Sequence, residues 1–317
     1  MADVGARPVA QPVAQPVAAV DCGTNTIKLL IGELPEVAVR EMRMVRLGQD
    51  LDRTGRLSDE ALGRAFAALE EYAALIAAHG VPPSRIRFCA TSATRDAAIA
   101  DVFTAGVRAR LGVEPDVVDG AEEAALTFDG AVRHLRTPPA SPVLVVDIGG
   151  GSTELVLGSA RDGPEAGHSM DIGSVRLHER HLHSDPPTAA EVAACVEDID
   201  AHLDSCPVEV AAAATVVGVA GTVTTLTAGV LGLPGYDRDA IDQAVLATDD
   251  VHALAERLVA MTVAQRLELP WMHPGRADVI DAGALIWSRV LRRAAVTRVI
   301  TSEADILDGI AWSIGHS

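Results

Sequence analysis

The sequence VLVVDIGGGSTELVLG, which runs from Val143 to Gly158, decides the fold of this chain. It is typical of a buried strand that ends in an aspartate, followed by a glycine-rich polar loop and a second apolar strand. The same order occurs earlier in VAAVDCGTNTIKLLIG, which runs from Val17 to Gly32. The two aspartates, Asp21 and Asp147, lie 126 positions apart. A strand–loop–strand unit that recurs at such a spacing predicts two related domains.

The chain has 317 residues, a length that suits two domains of ~150 residues each. The proline-rich sequence TPPASP at residues 137–142 is the best linker candidate. We therefore predict an N-terminal lobe over 17–138 and a C-terminal lobe over 139–317, with a disordered tail over 1–16. Strand and helix patterns are mixed along both lobes, which indicates the α/β class. Beyond the repeated units, the predicted strands are 37–47, 85–90, 117–118, 214–219 and 298–300, and the predicted helices are 58–79, 93–111, 121–134, 189–203, 251–269, 280–294 and 305–314.

The composition excludes several classes of partner. Acidic residues number 44 and basic residues 26, so the net charge of −18 argues against nucleic acid and against an anionic membrane. No apolar run reaches the ~20 residues of a membrane-spanning helix. Four cysteines without a CxxC pair predict neither a zinc site nor a disulfide scaffold, so we expect a cytoplasmic protein. An anionic ligand would need a local site of backbone N–H groups, a few basic side chains or a divalent metal.

The loop that follows Asp147 has the composition of a phosphate site. Consecutive glycines bring backbone N–H groups close to a ligand, and successive N–H groups form an anion-binding nest. Because an aspartate beside a phosphate needs a cation between them, we interpret Asp147 as a metal ligand, and Glu154 can face the same ion. Oxygen ligands and phosphate favour Mg²⁺. The alternative is an ordinary glycine-rich hairpin, but the second copy at Asp21 favours a pair of facing phosphate loops.

Two adjacent glutamates follow Asp119 in the sequence DGAEEA. Asp119 is predicted to cap a helix, with Glu122 as its partner in a capping box. Glu123 lies about 100° further round that helix, so it points elsewhere and is available as a general base for water. The alternative is an exposed glutamate that only benefits from the helix dipole.

Three further segments have the pattern of a strand end that leads into a helix. In residues 91–96, Ser92 and Arg95 stand at a helix start, where free N–H groups bind anions. The alternative there is an ordinary Ser/Thr cap with a surface ion pair. Residues 171–176 and 218–222 repeat the pattern with glycines, and each is a weaker indication of a phosphate contact.

Taken together, these motifs resemble those of the Ppx/GppA phosphatases, the exopolyphosphatases and guanosine pentaphosphate phosphohydrolases, over residues 17–317. The matching segments are 20–26, 90–97, 119–124, 147–154, 171–177, 221–222 and 276–280. The chain departs from the family pattern at Cys22 and at Asp308, where the family often has an arginine or lysine.

The resemblance implies two ribonuclease-H-like lobes of the actin-like, sugar-kinase and Hsp70 fold around a central cleft, with the last helix able to pack on the first lobe. It implies that Glu123 is the catalytic base and that Asp147, Glu154 and Asp21 handle the metal, Mg²⁺ or Mn²⁺. The residues implied to bind phosphate are Gly23, Thr24, Asn25, Thr26, Ser92, Arg95, Gly149, Gly150, Gly151, Ser152, Thr153, Gly173, Ser174, Gly221 and Thr222.

The function implied by the resemblance is that of an exopolyphosphatase, a phosphoric anhydride hydrolase that removes the terminal phosphate of inorganic polyphosphate. Because long family members continue into further helical domains, we expect a preference for short chains, and the family leads us to expect a homodimer. The alternatives are a guanosine pentaphosphate 5′-phosphohydrolase of the stringent response, which would use the same residues, and a non-catalytic alarmone or polyphosphate sensor. An actin-like kinase is disfavoured because Glu123 suits water better than a sugar hydroxyl.

Overall fold

The structure, a computed structural model, describes residues 15–49, 54–90 and 100–314. The predicted disordered tail lies outside the described residues except for Gln15 and Pro16, whose carbonyls accept hydrogen bonds from the guanidinium of Arg85. None of the helices in the described part is long and apolar enough to cross a membrane.

The first sheet contains the strand–loop–strand unit that opens the chain. Its strands, β1 to β5 in chain order, are Val17–Cys22, Thr26–Glu33, Glu36–Met44, Ile86–Ala90 and Asp116–Val117. Their order in the sheet is β3-β2-β1-β4-β5. Strand β2 runs antiparallel to both β1 and β3, whereas β4 runs parallel to β1 and β5 parallel to β4.

The second sheet repeats this topology. Its strands, β6 to β11, are Val143–Ile148, Thr153–Ser159, Gly163–Met170, Thr215–Val219, Val245–Ala247 and Arg298–Thr301. The order is β10-β11-β9-β6-β7-β8. The meander β6-β7-β8 is antiparallel, β9 and β11 continue the sheet in parallel beside β6, and the added edge strand β10 is antiparallel to β11. These two sheets are the pair of ribonuclease-H-like lobes that the resemblance implied.

Helices cover the sheets. In chain order, α1 to α11 are Asp59–Ala78, Ala100–Leu111, Gly120–Arg133, Ser174–His181, Ala189–Ser205, Ala220–Val230, Arg238–Ile241, Thr248–Val259, Val263–Leu267, Ile280–Ala294 and Ile306–Ile314. Ser58 caps the start of α1, because its Oγ accepts a hydrogen bond from the amide of Ala61 at 3.2 Å.

Packing does not follow the boundary that the linker suggested. Helix α3 falls in the predicted first lobe, yet its Phe128 and Ala131 are buried in one cluster with Val145 and Val217 of the second sheet. Helix α11, at the other end of the chain, packs on the first sheet, as the resemblance implied. The two helices meet so closely that a Cβ on Gly130 would collide with the backbone of Asp305, which precedes α11. The lobes therefore exchange a helix each across the cleft.

The structure differs from the predicted secondary structure in one helix and two strands. The predicted helix 251–269 is two helices: α8 ends at Val259, and Thr262 starts α9 with a full capping box to Gln265. Strands β8 and β10 were not predicted. The sequence of β8 places polar and small residues on an edge strand, and β10 has only three residues, so neither carries a clear apolar alternation.

Candidate active site

The loops after β1 and β6 meet at the cleft between the lobes. They approach so closely that a Cβ on Gly150 would lie 3.2 Å from the Cβ atoms of both Thr24 and Asn25. Together with α3 and the start of α6, these loops enclose a cavity of about 80 Å³, which we call the site cavity. Both repeats of the sequence motif thus contribute to one site.

Most of the predicted site residues line this cavity. They are Asp21, Gly23, Thr24, Asn25, Thr26, Glu123, Asp147, Gly149, Gly150, Ser152, Glu154, Ser174, Gly221 and Thr222. Ser92 and Arg95 lie outside the described residues, so their predicted phosphate contacts stay predictions.

Three predicted phosphate ligands support the loop instead of lining the site cavity. Thr153 is fully buried and donates its hydroxyl to the carbonyl of Ile172 at 2.6 Å. Gly151 uses its carbonyl to accept a hydrogen bond from Arg176. Gly173 is packed so tightly against the backbone of the glycine loop that a Cβ there would collide with it.

The start of α4 also differs from the prediction. Its first amides, those of Ser174, Val175 and Arg176, donate to the carbonyls of Gly149 and Gly150 at 2.9–3.0 Å. These amides therefore hold the glycine loop in place, and they are not available as an anion nest. Ser174 nevertheless lines the site cavity.

Helix α3 separates its two adjacent glutamates as predicted. Asp119 caps the helix by accepting from the amides of Ala121 and Glu122. Glu123 is only 7% exposed and lines the site cavity, whereas Glu122 is exposed. The second half of the predicted capping box is wrong, because the Glu122 carboxylate instead accepts from the guanidinium of Arg87 at 2.6 Å. An arginine on β4 within reach offers that carboxylate a charged partner.

Asp147 and Glu154 form a buried acidic pair. They are direct partners across β6 and β7, and both side chains line the site cavity. Burial, followed by the negative charge of Glu154, raises the pKa of Asp147 well above its usual value. Ser169 donates its hydroxyl to Glu154 at 2.6 Å. Two oxygen ligands that repel one another in a buried site are a favourable arrangement for a divalent cation.

Asp21 is placed differently from the other two predicted metal ligands. Its carboxylate forms an ion pair with Lys28 at 3.3 Å. Among the described residues, no three His, Cys, Asp or Glu side chains are grouped as a metal site. A site of three carboxylates is therefore not preformed, because a lysine already neutralises one of them.

Two cations of this site, Lys28 and Arg276, were not among the residues predicted from the sequence. The Nζ of Lys28 lies 2.6 Å from Asp305, which precedes α11. Although burial favours the neutral amine, the charges of Asp305, Asp21 and Asp147 outweigh it and raise the pKa of Lys28. A signal was available in the sequence, because a charged residue interrupts the apolar run of β2.

Arg276 lies across the start of α6. A Cβ on Gly221 would collide with its guanidinium, so glycine is needed there for the arginine to approach the helix. No hydrogen bond or ion pair of this guanidinium with another described residue is seen, and it lines the site cavity. Burial lowers the pKa of Arg276, so a negatively charged ligand would stabilise it.

A second cavity of about 500 Å³ adjoins the first. The two share Lys28, Ala220, Gly221 and Arg276 in their walls. Much of the remaining wall is apolar or aromatic, with Trp271, Met272, Met42, Pro270, Pro274 and Tyr236. We call it the outer cavity.

Comparison with known proteins identifies relatives along nearly the whole chain. The model of the Ppx/GppA phosphatase family matches residues 30–317. The chain is 46% identical to exopolyphosphatase 2 of Mycobacterium tuberculosis over 94% of this chain and 98% of that protein.

Solved structures show the same architecture. An exopolyphosphatase-like protein is 44% identical, with a TM-score of 0.90, over 95% of this chain and 99% of that one. An exopolyphosphatase from Cytophaga hutchinsonii is 27% identical, with a TM-score of 0.86, over 95% of this chain and 97% of that one. The arrangement of two lobes around a cleft is therefore shared with these proteins.

Proposed function

Because the chain belongs to the Ppx/GppA phosphatase family, we propose that it is an exopolyphosphatase that hydrolyses the terminal phosphoanhydride of inorganic polyphosphate. One observation carries this proposal. The carboxylate-bearing residue Glu123 and both glycine-bearing loops line the same cavity of about 80 Å³. The cavity is thus small, polar and equipped with a buried carboxylate beside two candidate phosphate loops.

The loops at Thr24 and Gly150 would hold the end of the polyphosphate. Backbone amides and hydroxyls are suited to phosphate oxygens, and the first turn of α6 contributes Gly221 and Thr222 to the same wall. The start of α6 has no side-chain cap, so its first N–H groups remain available to an anion. Arg276 adds a positive charge at this point.

Glu123 would act as the general base. Its carboxylate takes a proton from water as the water oxygen bonds to the terminal phosphorus and the anhydride P–O bond breaks. The products are orthophosphate and a polyphosphate shorter by one unit. Buried general bases of this kind contribute about 10²- to 10⁴-fold to the rate, and positioning with charge stabilisation supplies most of the rest in phosphoryl transfer.

The acidity of the site makes a divalent metal part of the proposal. Asp147 and Glu154 would hold Mg²⁺ or Mn²⁺, because Mg²⁺ commonly uses one or two carboxylates together with substrate phosphates and water. Asn25 fits this assignment, since its buried Oδ1 has no hydrogen-bond partner among the described residues and can accept from a metal-bound water. When bound, the ion neutralises phosphate charge and polarises the phosphoryl oxygens.

The outer cavity supports a second candidate, hydrolysis of guanosine pentaphosphate. Its apolar and aromatic wall would suit a nucleoside attached to the phosphates in the site cavity. This candidate uses the same catalytic residues, so only the choice of substrate separates the two.

One assay tests the proposal. Phosphate release is measured from tripolyphosphate, long polyphosphate, guanosine pentaphosphate and ATP, each with Mg²⁺, with Mn²⁺ and with EDTA. We expect the highest kcat/KM for a polyphosphate in the presence of metal, and the series also tests the predicted preference for short chains. A higher kcat/KM for guanosine pentaphosphate would select the second candidate, and release from none of the four would reject both.

A further inference from the structure

The turn that carries Arg276 belongs to the second lobe. Residues Pro274–Arg276 form a short 3₁₀ turn that precedes α10. From within that lobe, the buried guanidinium of Arg266 donates to the carbonyl of Ala277 at 3.0 Å. Because the guanidinium of Arg276 forms no hydrogen bond or ion pair with another described residue, its position depends largely on how this turn is held.

The first lobe contacts the same turn from across the cleft. Arg46, two residues beyond β3, forms a bidentate ion pair with Asp278, with distances of 2.9 Å from Nη1 to Oδ2 and 3.2 Å from Nη2 to Oδ1. Its Nη2 also donates to the carbonyl of Gly275 at 3.4 Å. Met44 packs on Gly275, where a Cβ would lie 2.7 Å from its Cε. Residues on both sides of Arg276 are therefore in contact with the first lobe.

The backbone of Arg46 is bonded to the first phosphate loop. The amides of Val45 and Arg46 both donate to the carbonyl of Asn25 at 2.9 Å. Arg64 of α1 donates to the carbonyl of Val45 at 2.8 Å. These bonds hold Arg46 at a φ of 47°, in the left-handed region that residues with a side chain seldom adopt. Its guanidinium thus reaches the second lobe from a backbone fixed to the loop of Asn25.

Resting on the proposed function, we infer that Arg46 and Asp278 are positioning residues, whose ion pair couples the first phosphate loop to Arg276 across the cleft. As the structure describes the two cavities, neither Arg46 nor Asp278 lines the site cavity or the outer cavity. The pair therefore acts on the substrate through the residue that it holds. Without it, the turn keeps its bond to Arg266 but loses its link to the loop that holds the terminal phosphate.

The exposure of this pair separates a positioning role from a structural one. The side chains of Arg46 and Asp278 are 38% and 31% exposed, and ion pairs at such sites contribute little to folding stability. Loss of the pair should therefore leave the fold intact and change mainly the placement of Arg276. Two parallel bonds to one carboxylate need the planar guanidinium, so lysine can replace Arg46 only in part.

Hydrogen exchange followed by mass spectrometry tests the contact without substrate. In Arg46→Met we expect the amides of residues 275–279 to exchange about threefold faster or more, because one of the two supports of the turn is lost. The matched control is Arg43→Met, whose side chain is also 38% exposed but pairs with Glu41 and Glu71 inside the first lobe. Exchange over 275–279 should be unchanged in the control. Unchanged exchange in Arg46→Met would overturn the inference.

A double-mutant cycle tests whether the pair acts through Arg276. On tripolyphosphate, we expect Arg46→Met and Asp278→Asn each to lower kcat/KM by about three- to tenfold, the coupling expected between contacting groups. Arg46→Lys should recover part of the loss, and the control Arg43→Met should stay within about twofold of wild type. Arg276→Met should lower kcat/KM by about ten- to a hundredfold. Adding Arg46→Met to Arg276→Met should then cause little further loss.

The outcomes distinguish this inference from the proposed function. If the wild-type chain hydrolyses polyphosphate but Arg46→Met keeps the wild-type kcat/KM, the role of Arg46 is overturned. Effects of Arg46→Met and Arg276→Met that multiply in the double variant would also overturn it, because the ion pair would then act independently of Arg276. Absence of hydrolysis by the wild-type chain would instead reject the function on which the inference rests.

Discussion

Asp147 and Glu154 face one another across two antiparallel strands, and both are at least 92% buried. Cross-strand partners project from the same face of a sheet, so the two carboxylates share one side of the cleft. The two negative charges repel one another, and a divalent cation bound between them would offset this repulsion. We therefore expect the activity to depend on a metal ion held by this acidic pair.

We expect EDTA to abolish phosphate release and added Mg²⁺ to restore it. Glu154→Gln should keep the shape of the site but raise the Mg²⁺ concentration for half-maximal activity about ten- to a hundredfold, because one of two ligands is weakened. Activity titrated against Mg²⁺ measures this. Full turnover in EDTA, or an unchanged Mg²⁺ requirement in the variant, would contradict the assignment.

Glu123→Gln should lower kcat by about 10²- to 10⁴-fold because the amide cannot accept the proton of water. KM should change much less, since the phosphate loops are untouched. The neighbouring variant Glu122→Gln is the matched control, because that side chain is exposed and pairs with Arg87. Steady-state kinetics of the two variants decide the matter, and a near-normal kcat in Glu123→Gln would remove Glu123 from the role.

Gly221→Ala should displace Arg276, whose guanidinium occupies the space that the new Cβ needs. An arginine side chain can move, so we expect little loss of stability but a fall in kcat/KM of about tenfold, the size of one charge-assisted contact. Gly63→Ala on α1 serves as control. Its Cβ would meet open space, so activity should be unchanged and the helix stabilised by ~1 kcal/mol. Equal kcat/KM in Gly221→Ala and wild type would show that the position of Arg276 is irrelevant.

The capping box of α5 predicts a pH effect on stability. Hydrogen bonds from the Thr188 amide, then from neighbouring hydroxyls and the His183 amide, lower the pKa of Glu191 to about 2. In the unfolded chain a glutamate has a pKa of about 4.3. A depressed pKa stabilises the fold above the unfolded value, and the benefit is lost as pH falls from about 4.3 towards 2.

Glu191→Gln should therefore be less stable than wild type near neutral pH, with a difference that shrinks across that acidic range. Urea unfolding at pH 6 and pH 3 measures it. A difference that stays constant between the two pH values would contradict the cause given for the low pKa.

The two-lobe fold could be predicted where a buried strand ends in a loop that carries an aspartate. Val17–Cys22 and Val143–Ile148 are apolar runs with an aspartate near the end, and their repetition predicted two lobes. The packing of α11 on the first lobe was implied by the family resemblance, whereas the packing of α3 on the second sheet could not be predicted in this way. The sequence around Phe128 does not indicate which sheet α3 will cover, because its packing partners are distant in the sequence.

The site shows the same division. Asp147 and Glu123 could be predicted because the residues that form a turn or a helix cap are adjacent in the sequence. Lys28 was overlooked because its partners Asp21 and Asp305 meet only in the folded chain, and Asp305 is 277 positions away. The amides at Ser174 were misassigned for a related reason, since only the fold shows that they are already bonded to the glycine loop.

The most direct test of the central claim is the fate of the water oxygen. Tripolyphosphate is hydrolysed with Mg²⁺ in H₂¹⁸O under first-turnover conditions, and the products are examined by mass spectrometry. Attack of water on the terminal phosphorus predicts one ¹⁸O in the released orthophosphate and none in the pyrophosphate, with Glu123→Gln losing the signal. The label in pyrophosphate, or no phosphate release at all, would contradict the account.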